Sequence, residues 1–256
     1  MRAEWIKLLS LRSTWWTLGM TVAVMTLFAL GQAMSLDLLA ESPETAPALT
    51  EIHGAEIVSG GYQIGMITIA VLGALLITGE YSTGMIRSTL AAVPTRLPML
   101  VAKAIALIAL TAVVSAVSLV LTYVVTKSLL TEHDLVPALN DSQTWQVFGG
   151  MVYFLVAAAL FSLGVGTLLR STAGAVTVSL TVLLLLPGIL GFITLGWVQD
   201  IVSYLPLPAA AAFLTVSDAT LAAESELDPW AGVLVIAAYA VVPMVAAAVA
   251  LRSRDA

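Results

Sequence analysis

Apolar residues in this chain neither alternate nor form one-sided stripes; they run in long unbroken blocks. Six blocks stand out, at 15–36, 57–79, 97–125, 147–169, 173–197 and 230–251. A bilayer's hydrocarbon core is about 30 Å thick, and about 20 helical residues at a rise of 1.5 Å cross it. Each block is long enough, so each predicts a transmembrane helix. Five carry no charged residue, and the third carries one, Lys103, near its start. A spanning segment must satisfy its own backbone hydrogen bonds, which selects helices for blocks of this length. The fold class predicted is all-α integral membrane, a single transmembrane domain over 1–256 with connections too short for a separate soluble unit.

Three connecting stretches keep a pattern of their own. Residues 1–12 place Trp5, Ile6 and Leu9 on one arc, with Glu4, Lys7 and Ser10 broadly opposite. That is the pattern of a short amphipathic helix lying among lipid headgroups, with Trp15 and Trp16 anchoring the first span at the interface. The first span reaches Leu36, too long for the apolar core of a cleaved signal, so an uncleaved helix is expected. Residues 80–96 form a second amphipathic stretch, in which Met85, Ile86, Leu90 and Val93 recur at helical spacing until Pro94 ends the pattern. Residues 201–214 are apolar but too short and too proline-rich to cross, which suggests a re-entrant segment. The acidic residues after it, Asp218 to Asp228, read as a solvated loop.

Composition confirms the class and excludes others. Of 256 residues, 60% are apolar and 10% charged, with a mean hydropathy of +1.02. A water-exposed domain carries about 25% charged residues, and a disordered chain carries more charge and fewer apolar groups. Charge placement predicts orientation. With the N-terminus in the cytoplasm, every basic residue except Lys127 lies on the inner side, 9 of 10. Of 16 acidic residues, removing Glu4, Glu80 and Asp255 leaves 13 outside. The basic bias is the determinant of topology, and an even number of spans then puts both termini in the cytoplasm.

Absent chemistry narrows the function. No charge lies in the middle third of a span, where ion-coupled carriers commonly keep one. There is no P-loop, no H-E-x-x-H and no G-x-S-x-G, so no catalytic residue and no nucleotide site are predicted on this chain. His53 and His133 lie in outer loops without metal-ligand spacing, and the basic residues are too dispersed for a nucleic-acid footprint. Gln32 and Gln63, near the outer ends of the first two spans, either bond helix to helix or touch a translocated substrate. Gly61 and Gly65 form a G-x-x-x-G that permits close helix packing, while Pro187-Gly188 and Gly191 interrupt the fifth span.

Six spans, an amphipathic N-terminal segment and the run G-E-Y-S-T-G-M-I-R-S-T-L…V-P-T-R after span two together resemble the ABC-2 type permeases. These are the transmembrane subunits of ABC exporters. The resemblance implies that residues 1–12 are an elbow helix and that residues 83–93 are a coupling helix docking on a separate ATPase. Glu80, Tyr81, Thr83, Gly84, Met85, Ile86, Arg87, Leu90, Pro94 and Arg96 would carry that contact. It also implies two ATPase copies holding ATP and magnesium, no cofactor on this chain, and a second permease subunit, with a homodimer favoured. The pathway would involve Gln32 and Gln63, with Tyr204, Pro206 and Pro208 in the re-entrant segment, and the setting would be a bacterial inner membrane. Few aromatics argue against a long polysaccharide and favour a small amphipathic, peptide or drug-like substrate. A secondary carrier or channel, or a membrane sensor or immunity protein, are the alternatives that the residues alone leave open.

Overall fold

The structure, a computed structural model, describes residues 12–41, 49, 52–82, 96–217 and 227–253. Most of residues 1–12 and 83–95, read as elbow and coupling helices, fall outside the described residues. The described chain is a helical bundle. Six helices are long and apolar enough to cross a membrane: Arg12–Glu41, Gly54–Ser82, Leu97–Glu132, Ser142–Leu169, Thr172–Leu190 and Pro229–Arg252.

The first helix, α1 (Arg12–Glu41), buries Leu18, Met25, Ala29, Ala33 and Leu36 along one seam and turns Trp16, Leu27, Met34 and Leu38 outward. Hydrocarbon tails are as apolar as leucine, so the buried seam is held by close packing and interhelical hydrogen bonds rather than by exclusion from water. Thr21 bonds Thr68 at 2.7 Å, and Thr26 bonds Thr122 at 3.2 Å.

The second span is broken near its outer end into α2 (Gly54–Ser59) and α3 (Tyr62–Ser82). The break falls at Gly60-Gly61 because the backbone of α1 passes there. A Cβ on Gly61 would overlap the Met25 carbonyl, and one on Gly65 would sit 2.6 Å from the Met25 side chain. Both glycines of the G-x-x-x-G are therefore used in one helix crossing.

The third span, α4 (Arg96–Glu132), has 37 residues, or about 55 Å, and continues past the predicted end at 125. The fourth, α5 (Ser142–Leu169), is the centre of the bundle. It buries Met151, Phe154, Leu155, Ala158, Phe161 and Leu163 around its circumference. A helix apolar on all sides belongs in an interior. Tyr62 meets Phe154 edge-on at 5.5 Å, and Phe161 meets Tyr239 at 5.9 Å.

The fifth span, α6 (Thr172–Leu190), is shorter than the predicted 173–197. It contains a π turn at Thr181–Leu185, immediately before Leu186-Pro187. Proline has no N–H to give the carbonyl one turn back, and a π turn is a usual accommodation. Gly191 then ends the helix. Trp197 lies instead on a separate helix, α7 (Gly196–Ser203), and is two-thirds exposed at 66%. On the inner face of α7, Val198 and Val202 pack with Leu205 on Leu186 and Leu190.

The stretch predicted at 201–214 is helical, comprising the end of α7 and α8 (Pro206–Leu214), with a turn at Tyr204-Leu205. Pro206 starts α8, the helical position where a missing N–H is harmless. At 9 residues, or about 14 Å, α8 is about half as long as a bilayer core is thick. It packs on α5 through Phe213 and Tyr153, whose rings are 5.9 Å apart. The last span, α9 (Pro229–Ser253), closes the bundle against α5 and α8.

Candidate functional site

Two polar sites lie at opposite ends of the bundle. The first flanks residues 83–95. Glu80, two residues before the end of α3, is 2% exposed, and Lys103, in the second turn of α4, is 0% exposed. The Lys103 ammonium donates to Glu80 Oε1 at 2.6 Å. Two ions far from water persist only as a pair, so the pair fixes the end of α3 to the beginning of α4. Beside it, the Arg170 guanidinium sits 5.5 Å from the centre of the Tyr81 ring, a cation–π distance. Arg170 takes a left-handed conformation (φ 53°) that closes α5, its N–H donating to the Gly166 carbonyl at 3.0 Å. Ser171 then caps α6, its hydroxyl accepting the Gly174 N–H at 3.3 Å. One end of the bundle thus joins α3, α4 and the α5–α6 turn through two cation contacts. Both contacts border the segment 83–95.

The second site is a cavity of about 520 Å³ at the other end. Gln32 and Ser35 of α1, Glu56 and Ser59 of α2, and Gln63 of α3 line it on the polar side. Pro187 of α6 and Leu207, Pro208 and Leu214 of α8 line it on the apolar side. Glu56 also holds α8 in place. Its Oε1 accepts the Val216 and Ser217 N–H groups at 2.7 and 2.8 Å, and its Oε2 accepts the Ser217 hydroxyl at 2.8 Å. Gln146 donates to the Phe213 carbonyl at 3.3 Å. A short helix with a proline-interrupted approach is kept in register by these side chains from two spans.

Two histidine–aspartate contacts brace the same end. His53 accepts the Ala55 N–H at Nδ1 (3.2 Å), which leaves Nε2 to face Asp141 Oδ2 at 3.1 Å. Asp141 caps α5, and the Gln143 N–H, with smaller help from His53 and the Thr144 N–H, holds its carboxyl below the usual carboxylate range. His133 meets Asp37 at 2.9 Å, tying the loop after α4 to the last turns of α1.

A family model described as "ABC-2 family transporter protein" matches residues 2–256. The chain belongs to the ABC-2 transporter family. No curated protein matches it.

Family membership and the apolar helices identify this ABC-2 chain as a multi-pass membrane protein and a permease component of a transporter. The family implies association with an ABC ATPase, and its membrane components are in general not catalytic. The predicted site residues separate into groups. Glu80 and Tyr81 lie in the charged junction, and Glu80 is buried against Lys103 rather than facing water. Thr83, Gly84, Met85, Ile86, Arg87, Leu90 and Pro94 lie outside the described residues, as do Trp5, Ile6 and Leu9. Arg96 is the first residue of α4. Trp15 and Trp16 are exposed at 58% and 80%, next to the start of α1. Gln32, Gln63 and Pro208 come together in the cavity. Tyr204 and Pro206 do not line it; Tyr204 is exposed in the α7–α8 turn, and Pro206 is buried at the start of α8. Sequence reasoning missed the Glu80–Lys103 pair and the role of Glu56. Lys103 did carry a signal, since a lone cation inside an apolar block needs a counter-ion. Glu56 carried none, because its partners lie 160 and 161 residues away.

Proposed function

We propose that this chain is the permease subunit of an ATP-driven exporter and that residues 80–96 receive the motion of a separate ATPase. The observation that carries this reading is the buried Glu80–Lys103 pair on both sides of that segment. A segment whose two roots are tied by one ion pair moves as a unit, and force on it reaches α3 and α4 together. Tyr81 and Arg170 extend the same connection to α5 and α6. Glu80 is then a positioning residue, and Arg87 and its neighbours make the contact. The charge bias supports a cytoplasmic position for this end and both termini, with the cavity on the outer side, and the family resemblance supports a bacterial inner membrane as the setting. Two copies of the chain form the pathway above two ATPase copies. The elbow segment 1–12 lies along the inner headgroups, and α7–α8 form the re-entrant hairpin.

The chain has no cysteine, so single-cysteine variants report on a silent background. Thr83→Cys is expected to react with a membrane-impermeant maleimide in inverted vesicles and to resist it in intact cells. Met85→Cys is expected to crosslink to the co-expressed ATPase. Arg87→Ala is expected to reduce substrate-stimulated ATP hydrolysis while leaving the folded yield unchanged. Labelling of Thr83→Cys from outside, or uphill transport by the purified chain without any ATPase, refutes the proposal.

A further inference from the structure

The cavity beside α8 is charged in one sense. Glu56 faces it, and the three donors on the Glu56 carboxylate, two backbone N–H groups and a hydroxyl, are all neutral. Among the described residues no lysine, arginine or histidine lines the cavity. A carboxylate offers about four acceptor positions, and three are occupied. The side chains of Gln32 and Gln63 line the cavity on the same polar side, while Leu36, Leu207 and Leu214 form an apolar wall.

We propose that this cavity binds amphiphiles with a cationic head, the ammonium against Glu56 and the apolar body along α8. The inference rests on the permease reading for its biological meaning, but binding itself needs neither ATP nor a partner. Hydrogen bonds between ions are about twice as strong as neutral ones, and the negative cavity also repels anions, so about tenfold discrimination between head charges is expected.

The test uses the full chain in nanodiscs without nucleotide and two dansyl probes of similar length. Dansylcadaverine ends in an ammonium, and dansyl aminohexanoate ends in a carboxylate. Fluorescence titrations are corrected with empty nanodiscs. The ammonium probe is expected to bind about tenfold more tightly, and Glu56→Gln is expected to bring the two probes within about twofold. Glutamine keeps an oxygen for Val216 and Ser217, and the Ser217 hydroxyl can rotate to accept from the new amide, so α8 stays held. Gln63→Lys tests the same charge logic without altering Glu56 and should weaken the ammonium probe by a similar factor. Equal affinity for the two probes, no binding of the ammonium probe, or unchanged ammonium binding in both variants overturns the proposal. Failure of ATPase coupling in the experiments above would not alter any of these readings, so the two proposals fail separately.

Discussion

Removing Lys103 while leaving Glu80 should destabilise the protein far more than removing both. At 2.6 Å and an effective dielectric of about 20, the attraction between the two charges is 332/(20 × 2.6), about 6 kcal/mol. Desolvating two ions opposes this by several kcal/mol each, so the pair as a whole is close to neutral against an apolar replacement. Breaking it one-sidedly is different, because a carboxylate at 2% exposure then loses its ammonium partner. Lys103→Met should therefore cost about 3–5 kcal/mol, and Glu80→Gln with Lys103→Met should recover most of that. For a chain of about 250 residues this corresponds to roughly 6–20 °C in midpoint. Thermal unfolding in mild detergent, followed by size-exclusion chromatography of the fluorescently tagged protein, measures the midpoints. If the double variant is as unstable as the sum of the two single ones, the residues do not act as mutual counter-ions. If Lys103→Met alone lies within about 1 °C of the parent, the burial argument itself fails.

Glycine replacements should divide by their surroundings. Gly61→Ala places a methyl against the Met25 backbone and should cost about 1–3 kcal/mol in the same assay. Gly149→Ala, with nothing within 4 Å of its Cβ, should be neutral or stabilising by up to about 1 kcal/mol. Glu56→Ala should release the end of α8, raising deuterium uptake over 206–217, whereas Glu56→Gln should not. The Asp141 carboxyl titrates lower in the folded chain than its unfolded value of 3.8. Its contribution is therefore complete above that pH and is lost as the pH falls through the folded value. An acid unfolding titration should show a component below about pH 4 that Asp141→Asn removes, with no change from this group between pH 5 and 8.

Much of the bundle is readable from the order of residues alone. The lengths of the apolar blocks locate all six long helices, because the hydrocarbon thickness imposes a length that no local propensity can override. Helix ends are less readable. α4 continues to Glu132 because water as well as lipid tolerates a helix, and nothing in 126–132 breaks one. α6 stops early because Pro187, Gly188 and Gly191 accumulate within one and a half turns, a signal visible in the sequence but not its outcome. Gln32 and Gln63, read singly as polar groups near the outer ends of adjacent spans, line one cavity, a juxtaposition that their spacing did not give. The contacts of Glu56, His53 and His133 are long-range, and no spacing rule connects them to Ser217, Asp141 or Asp37.

The length of α6 bears on the choice of membrane. Its 19 residues extend about 28 Å, just short of an average hydrocarbon layer, whereas α1 and α4 exceed that layer by about 15 and 25 Å. Long helices adapt to a thicker bilayer by changing tilt, but one already at its limit cannot, and its ends or the surrounding lipid must deform. Hydrophobic mismatch is thus felt first at α6, at its π turn and at the α7 helix packed on its last residues. Acyl-chain length becomes a physical input to the protein, delivered first at its shortest span.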